Sequence, residues 1–332
     1  MSEATTRSVP EGTFRERIAQ NRRNSLLLIA VFLLLVVVLG YIIGFAWTGD
    51  PAGAIFGLAL AVVAGTVSGL ITYFGGARMV LASSGAKEVS REEAPVLHNV
   101  VEEMAIAGGL PVPKIYVIED DSPNAFATGR DPEHAAVAAT SGLIERLERD
   151  ELQGVMAHEM AHVGNLDIRY AMLVGVLVGT TVLISDFFLR SLWFGGGRRR
   201  GGGGDGRIQL LMMVIALLLA VLAPIFARLL QMSISRQREY LADATAVRFT
   251  RNPDGLADAL EKITRAAKPL RTANRATAHL YIANPLKKRE SAKRLFSTHP
   301  PPEERVRRLR AMQGAPAEPE PDEREAEPPQ SG

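Results

Sequence analysis

Residues 158–162 read His-Glu-Met-Ala-His. On an α-helix, side chains four apart share a face, so the imidazoles of His158 and His162 can reach a single metal ion. Glu159 sits one residue along, where its carboxylate reaches a water on the metal rather than the metal. That arrangement suits zinc-assisted peptide hydrolysis: zinc lowers the pKa of its water toward neutrality, and the glutamate accepts the proton. The same glutamate can hand the proton on to the leaving amine. A bare match to this motif also occurs by chance. Here it falls on a predicted helix beside apolar segments, in a chain with six histidines.

A catalytic zinc usually takes three protein ligands and keeps one position for water. Downstream, Glu239, Asp243, His279 and His299 are the residues able to complete the set. Glu239 and Asp243 lie four apart and share a helix face, so one can ligate while the other orients a histidine. The competing reading of that pair is an exposed acidic face matched to Arg236 or Arg238. The chain contains no cysteine, which excludes disulfides, thiolate ligands and a cysteine nucleophile.

The elements that must position these residues are legible in outline. Asp150, followed three residues later by Gln153, reads as the N-cap of a helix over 151–163. Ahead of it, 92–108 has apolar residues at helical spacing and ends at Gly108-Gly109. Residues 114–118, 124–128 and 135–140 read as short strands with turn signals between them, which predicts a small sheet. Residues 143–147 read as a short helix, and 232–250, 255–267 and 302–312 as further helices.

Apolar residues are concentrated in four stretches. Residues 26–47 and 51–74 are uncharged and each long enough to span a bilayer, which needs about 20 residues. Residues 208–227 form a third such stretch. The fourth, 170–189, carries Asp186 and several Thr and Gly residues. The first stretch is too long for the apolar core of a signal peptide, and the second follows at once, so a retained helical hairpin is expected. Gly53, Gly57, Gly65, Ser68 and Gly69 are of the size that lets membrane helices approach closely. The net charge of +2 is uninformative, but arginines cluster before the first stretch, which places that end on the cytoplasmic side. Arginines at 190, 198–200 and 207 would lie on the opposite side after a third crossing, so the second apolar pair either stops short of crossing or yields to the first hairpin.

Taken together, His158–His162 and Glu239-x-x-x-Asp243 resemble the HtpX-type membrane zinc peptidases, relatives of the prenyl-protein (CAAX) processing zinc proteases. Further matches are Asn124-Ala125-Phe126-Ala127-Thr128-Gly129 and Ser297-Thr298-His299-Pro300-Pro301. The resemblance covers about residues 15–312 and implies a zincin-like (gluzincin) catalytic domain. It implies one Zn2+ per chain on His158, His162 and Glu239, with Glu159 as general base and Asp243 supporting a ligand histidine. Asn124, Ala125, Phe126 and Ala127 then form the edge strand that pairs with an extended substrate. Asn124 and His299 resemble residues that touch substrate or the developing oxyanion. Arg305 is expected to pair with Asp243.

The expected fold class is an α+β membrane protein, predominantly helical, with four candidate transmembrane or membrane-associated helices and a small β-sheet. The expected organisation is a polar segment 1–25, a membrane hairpin 26–74 and a first catalytic part 75–169. A second apolar pair with a Gly/Arg-rich loop follows (170–230), then a second catalytic part (231–312) and an acidic, Pro-rich disordered tail (313–332). The glycine- and arginine-rich loop at 195–207 reads as a flexible connector, with contact to anionic lipid or nucleic acid as the alternative. The expected activity is endopeptidase cleavage of membrane or unfolded polypeptides, misfolded ones included, by a multi-pass protein of the cytoplasmic (inner) membrane with its site on the cytoplasmic face. The lipid bilayer is the other expected partner, and no nucleic acid is. The competing functions are a dedicated processing protease for one substrate and a non-catalytic membrane adaptor that retains zinc.

Overall fold

The computed structural model describes residues 11–171, 185–186, 189–190, 206–266, 268–271, 280–283 and 300–313. Most of the 195–207 connector, most of the 170–189 stretch and all but the first residue of the 313–332 tail lie outside these residues.

Two long helices open the chain, α1 (Glu11–Thr48) and α2 (Pro51–Ser83). The polar residues 11–25 belong to α1 and extend it ahead of the apolar stretch, where the sequence predicts only a separate polar segment. The turn between the helices is closed by Asp50, whose side chain accepts from the Gly53 amide at 2.8 Å, with Pro51 at the first helical position. The helices then pack backbone to backbone. A Cβ on Gly57 would stand 2.4 Å from the Gly40 carbonyl oxygen and 2.8 Å from the Gly44 Cα, so only glycine fits there.

Pro51–Ile71 is long and apolar enough to cross a bilayer, with mean hydropathy 2.2 over 21 residues. Only 11% of that window is buried, so it is not the core helix of a water-soluble domain. Of the four expected spans, this is the one found among the described residues; Val36–Thr48 is a shorter apolar run. Leu39, Ile43 and Ala46 of α1 pack on Ala216 and Met213 of a much later helix, which draws the N-terminal hairpin to the second half of the chain.

The catalytic part begins with the two-residue strand β1 (Lys87–Glu88), then α3 (Pro95–Gly108), β2 (Lys114–Ile118), β3 (Ala125–Gly129) and β4 (Ala135–Thr140). A left-handed Gly109 (φ 63°) ends α3, as the Gly-Gly pair predicts. The sheet is mixed, in the order β1-β2-β4-β3: β2 runs parallel to β4, and β1 and β3 run antiparallel to their neighbours. β3 is therefore an edge strand. The short β1 has no apolar pattern, and the sequence did not signal it.

Next come α4 (Ser141–Arg146), α5 (Arg149–Gly164), α6 (Gly206–Thr250), α7 (Pro253–Ala266) and α8 (Pro302–Ala311). The N-cap of α5 is Glu148 rather than Asp150: Glu148 N–H donates to the Glu151 carboxylate at 2.8 Å in a capping box. At 45 residues, α6 is about 67 Å long, enough to join an apolar end to a catalytic end. Leu210, Leu211, Leu218 and Ile225 are exposed near its start, whereas Ala242 and Ala246 are buried in the core.

The main core is formed by α3, one face of the sheet, α5, α7 and parts of α6 and α8. A close contact lies beneath α5, where a Cβ on Gly154 would stand 2.6 Å from Leu256 N. This close approach sits one helical turn before His158. The architecture is a mostly helical protein with a small mixed sheet.

Candidate metal and catalytic site

The ends of two helices meet over the core. α5 carries His158, Glu159 and His162, and α6 carries Glu239 and Asp243. Both are fixed by apolar contacts on their other faces: Leu152, Val155, Met156 and Met160 on α5, and Ala242 and Ala246 on α6. The site residues themselves are buried, with His158 and Glu159 each 1% exposed and Glu239 5%.

His158 Nε2 lies 3.1 Å from His162 Nε2, and Glu239 lies 3.6 Å from each ring nitrogen through different oxygens. The imidazole planes are nearly perpendicular, at 87°. One ligand atom from each residue falls within a 4.8 Å group. Two donors each about 2.05 Å from a tetrahedral zinc stand about 3.3 Å apart, so the 3.1–3.6 Å spacings are of the size such an ion requires, with Glu239 approaching the two rings through different oxygens. The donor set, two imidazoles and one carboxylate, is also that of a catalytic rather than a structural zinc site.

Behind these atoms are the groups that orient them. Asp243 Oδ1 lies 2.9 Å from His158 Nδ1, leaving Nε2 for the shared centre. Arg305, on α8 and 1% exposed, donates to Asp243 through Nε (2.9 Å) and Nη2 (2.7 Å). This is the pair expected from the sequence, in bidentate form. Arg305 also donates through Nη1 to the Ile282 carbonyl at 3.3 Å and lies 3.4 Å from Glu239. On His162 the corresponding partner is Asp167, 3.0 Å from Nδ1, which the sequence reading did not name. Arg238 lies 3.5 Å from the other Asp167 oxygen.

The electrostatics match the geometry. Burial and the Arg305 charge press the His158 ring down, but the carboxylates of Asp243 and Glu239 outweigh both and hold it up at about 9. Two imidazole nitrogens and a carboxylate facing one point thus favour positive charge there. Burial raises the Glu159 carboxyl, against the lowering pull of both histidines, with Glu239 adding to the rise. The Ala127 amide hydrogen-bonds the Glu159 carboxylate. Burial also works to raise Asp243, but the Arg305 charge and the His158 ring overcome it and keep its carboxyl below the usual range.

β3 lies along the front of this cluster. Asn124 C=O accepts from Thr140 N–H at 2.9 Å, so even-numbered positions face β4 and the backbone of Ala125, Ala127 and Gly129 turns toward the open edge. Ala125 and Ala127 point their side chains into the main core, whereas Phe126 points the other way, edge-on to Tyr281 with ring centroids 4.9 Å apart. The edge is partly occupied: Ile282 N–H donates to the Ala125 carbonyl at 2.9 Å. Asn124 Nδ2 donates to the Ala283 carbonyl at 2.9 Å, and its Oδ1 accepts from the Ala283 amide at 3.3 Å. Asn124, at 2% exposure, thus ties residues 282–283 to β3 rather than pointing into the His-His-Glu cluster. His279 and His299 lie outside the described residues.

The geometry agrees with what the chain resembles. Residues 90–313 match the model of peptidase family M48. The protease HtpX homolog of Caldanaerobacter subterraneus subsp. tengcongensis is 44% identical over 300 residues, covering 90% of this chain and 98% of the relative. That of Tropheryma whipplei is 46% identical over 295 residues, covering 89% and 97%. The crystal structure of S. mikatae Ste24p aligns at 20% identity with a TM-score of 0.47, over 85% of this chain and 62% of that one. A family match across the whole site, with full-length relatives above 40% identity, places the sequence: the chain belongs to peptidase family M48 and is an HtpX-type metalloprotease.

Proposed function

We propose that the protein is a zinc endopeptidase with a zincin-like site, holding one zinc per chain on His158, His162 and Glu239. The observation that carries this reading is the convergence of those three donors at ion-binding spacing, with the buried Glu159 next to His158 on the same helix. When bound, the ion supplies Lewis acidity, which makes water nucleophilic near neutral pH and polarises a peptide carbonyl. The chain's own groups supply the rest. Glu159 takes the proton of the attacking water and gives it to the leaving amine. Its raised carboxyl suits both halves of that exchange, and the Ala127 amide holds its orientation. Asp243 and Arg305 fix the His158 ring. The substrate binds as an extended strand along the open edge of β3, at the Ala127 carbonyl and Gly129, with His299 serving the oxyanion.

The substrates are membrane-embedded or unfolded polypeptides, misfolded ones included. The apolar outer surface of Pro51–Ile71 supports a bilayer location, and the arginines ahead of the apolar stretch of α1 support a multi-pass protein of the cytoplasmic membrane with its site on the cytoplasmic side. The test is casein digestion by detergent-purified protein, wild type beside Glu159→Gln. Cleavage by wild type alone, with equal zinc in both, supports the reading. Equal cleavage by both overturns the role of Glu159.

A further inference from the structure

We infer that Asp167, Arg238 and Tyr170 form a positioning relay that sets the His162 ring, running from the exit of α5 to the helix that bears Glu239. The inference rests on the metal reading above and adds residues that this reading does not use.

The first contact fixes the tautomer. His162 Nε2 faces His158 Nε2, so Nδ1 carries the proton and donates to Asp167 Oδ2 at 3.0 Å. Asp167 lies five positions on, off the i+4 face of α5. It reaches back because the helix stops at Asn165 and Leu166 takes a left-handed conformation (φ 60°), rare for a leucine. A strained turn that aims one carboxylate at one imidazole points to a site requirement.

The second contact holds the carboxylate. Arg238 Nε stands 3.5 Å from Asp167 Oδ1, and the guanidinium stacks on the Tyr170 ring at 3.5 Å to the centroid. All three side chains are buried, at 5–7% exposure. Arg238 Nη1 has no hydrogen-bond partner among the described residues. A buried guanidinium with an unused donor is costly. Its placement beside Asp167 and one residue before Glu239 ties the helix of one ligand to the chain leaving the helix of another. The two histidines are thus supported alike, His158 by Asp243 and Arg305, and His162 by Asp167 and Arg238.

The test is zinc affinity of the full chain in detergent, by competition with a chromophoric chelator, with the visible spectrum of the Co2+ form as a second readout. Asp167→Ala is expected to weaken zinc binding by about 10- to 100-fold and to shift the Co2+ bands. Asp167→Asn keeps an accepting oxygen without the charge and is expected to fall between the two. Arg238→Gln is expected to weaken binding by about threefold or more in the wild type and not at all in the Asp167→Ala background. An Asp167→Ala affinity equal to wild type, or an Arg238→Gln effect of the same size in both backgrounds, overturns the relay while leaving the metal reading intact. No metal uptake by the wild type overturns both. Should Asp167→Ala lose its helical circular dichroism, Arg238→Gln against Asp167→Asn decides the question alone.

Discussion

Removing Arg305 should damage both the fold and the site, because its charge is enclosed. The side chain is 2% exposed and forms a bidentate pair with Asp243, whose side chain is 4% exposed. At such burial solvent screening is negligible, and breaking a pair by deleting one partner costs about 3–5 kcal/mol, since the other charge stays behind. The Ile282 carbonyl loses its donor as well, adding about 1 kcal/mol. The bond from His158 to Asp243 offsets part of this, so the net expectation for Arg305→Ala is a loss of about 3–5 kcal/mol. Arg305→Lys restores a charge without the fork and should recover part of the loss. Equilibrium denaturation in mixed micelles, followed by circular dichroism, measures the effect. A loss below about 1 kcal/mol for Arg305→Ala would refute the reasoning, because that is the value of an exposed pair.

Gly154→Ala should destabilise the protein by about 1–3 kcal/mol, because its Cβ would stand 2.6 Å from the Leu256 amide nitrogen, where backbone must move. The same denaturation experiment checks this, and reduced zinc binding should accompany it, since the helix that shifts carries His158. Gly57→Leu should separate the first two helices, because its Cβ alone would stand 2.4 Å from the Gly40 carbonyl oxygen. Its denaturation midpoint, followed by circular dichroism, should fall below that of the wild type. A strong chelator should abolish casein cleavage, and added zinc should restore it, with the Glu159 variant inactive throughout.

The centre of the site was legible because its chemistry is local. His158, Glu159 and His162 are fixed by helical spacing, and so is the pairing of Glu239 with Asp243 on one face. The three longer strands were legible from their β-branched and small residues between turn signals. What the sequence withheld depends on departures from regular spacing. Asp167 became a partner of His162 only because Leu166 turns the chain back, and nothing in the residue type announces that turn. Arg238 entered only the competing reading, with Arg236, as a cation matched to an exposed acidic face, yet it is buried against Tyr170. Asn124 read as a substrate contact, whereas its amide clamps Ala283, a pairing across more than a hundred residues that no local pattern carries. The helix start moved from Asp150 to Glu148 because either acid can cap, and only the reciprocal bond to Glu151 tells them apart.

The central claim is that one zinc sits between the two helices on His158, His162 and Glu239. X-ray absorption at the zinc edge of purified, zinc-loaded protein tests it most directly, wild type beside Glu239→Ala. The account predicts two imidazole nitrogens and one carboxylate oxygen at about 2.0–2.2 Å in the wild type, with the oxygen ligand lost or replaced in the variant. No bound zinc, or a coordination shell that does not change when Glu239 is removed, would contradict it.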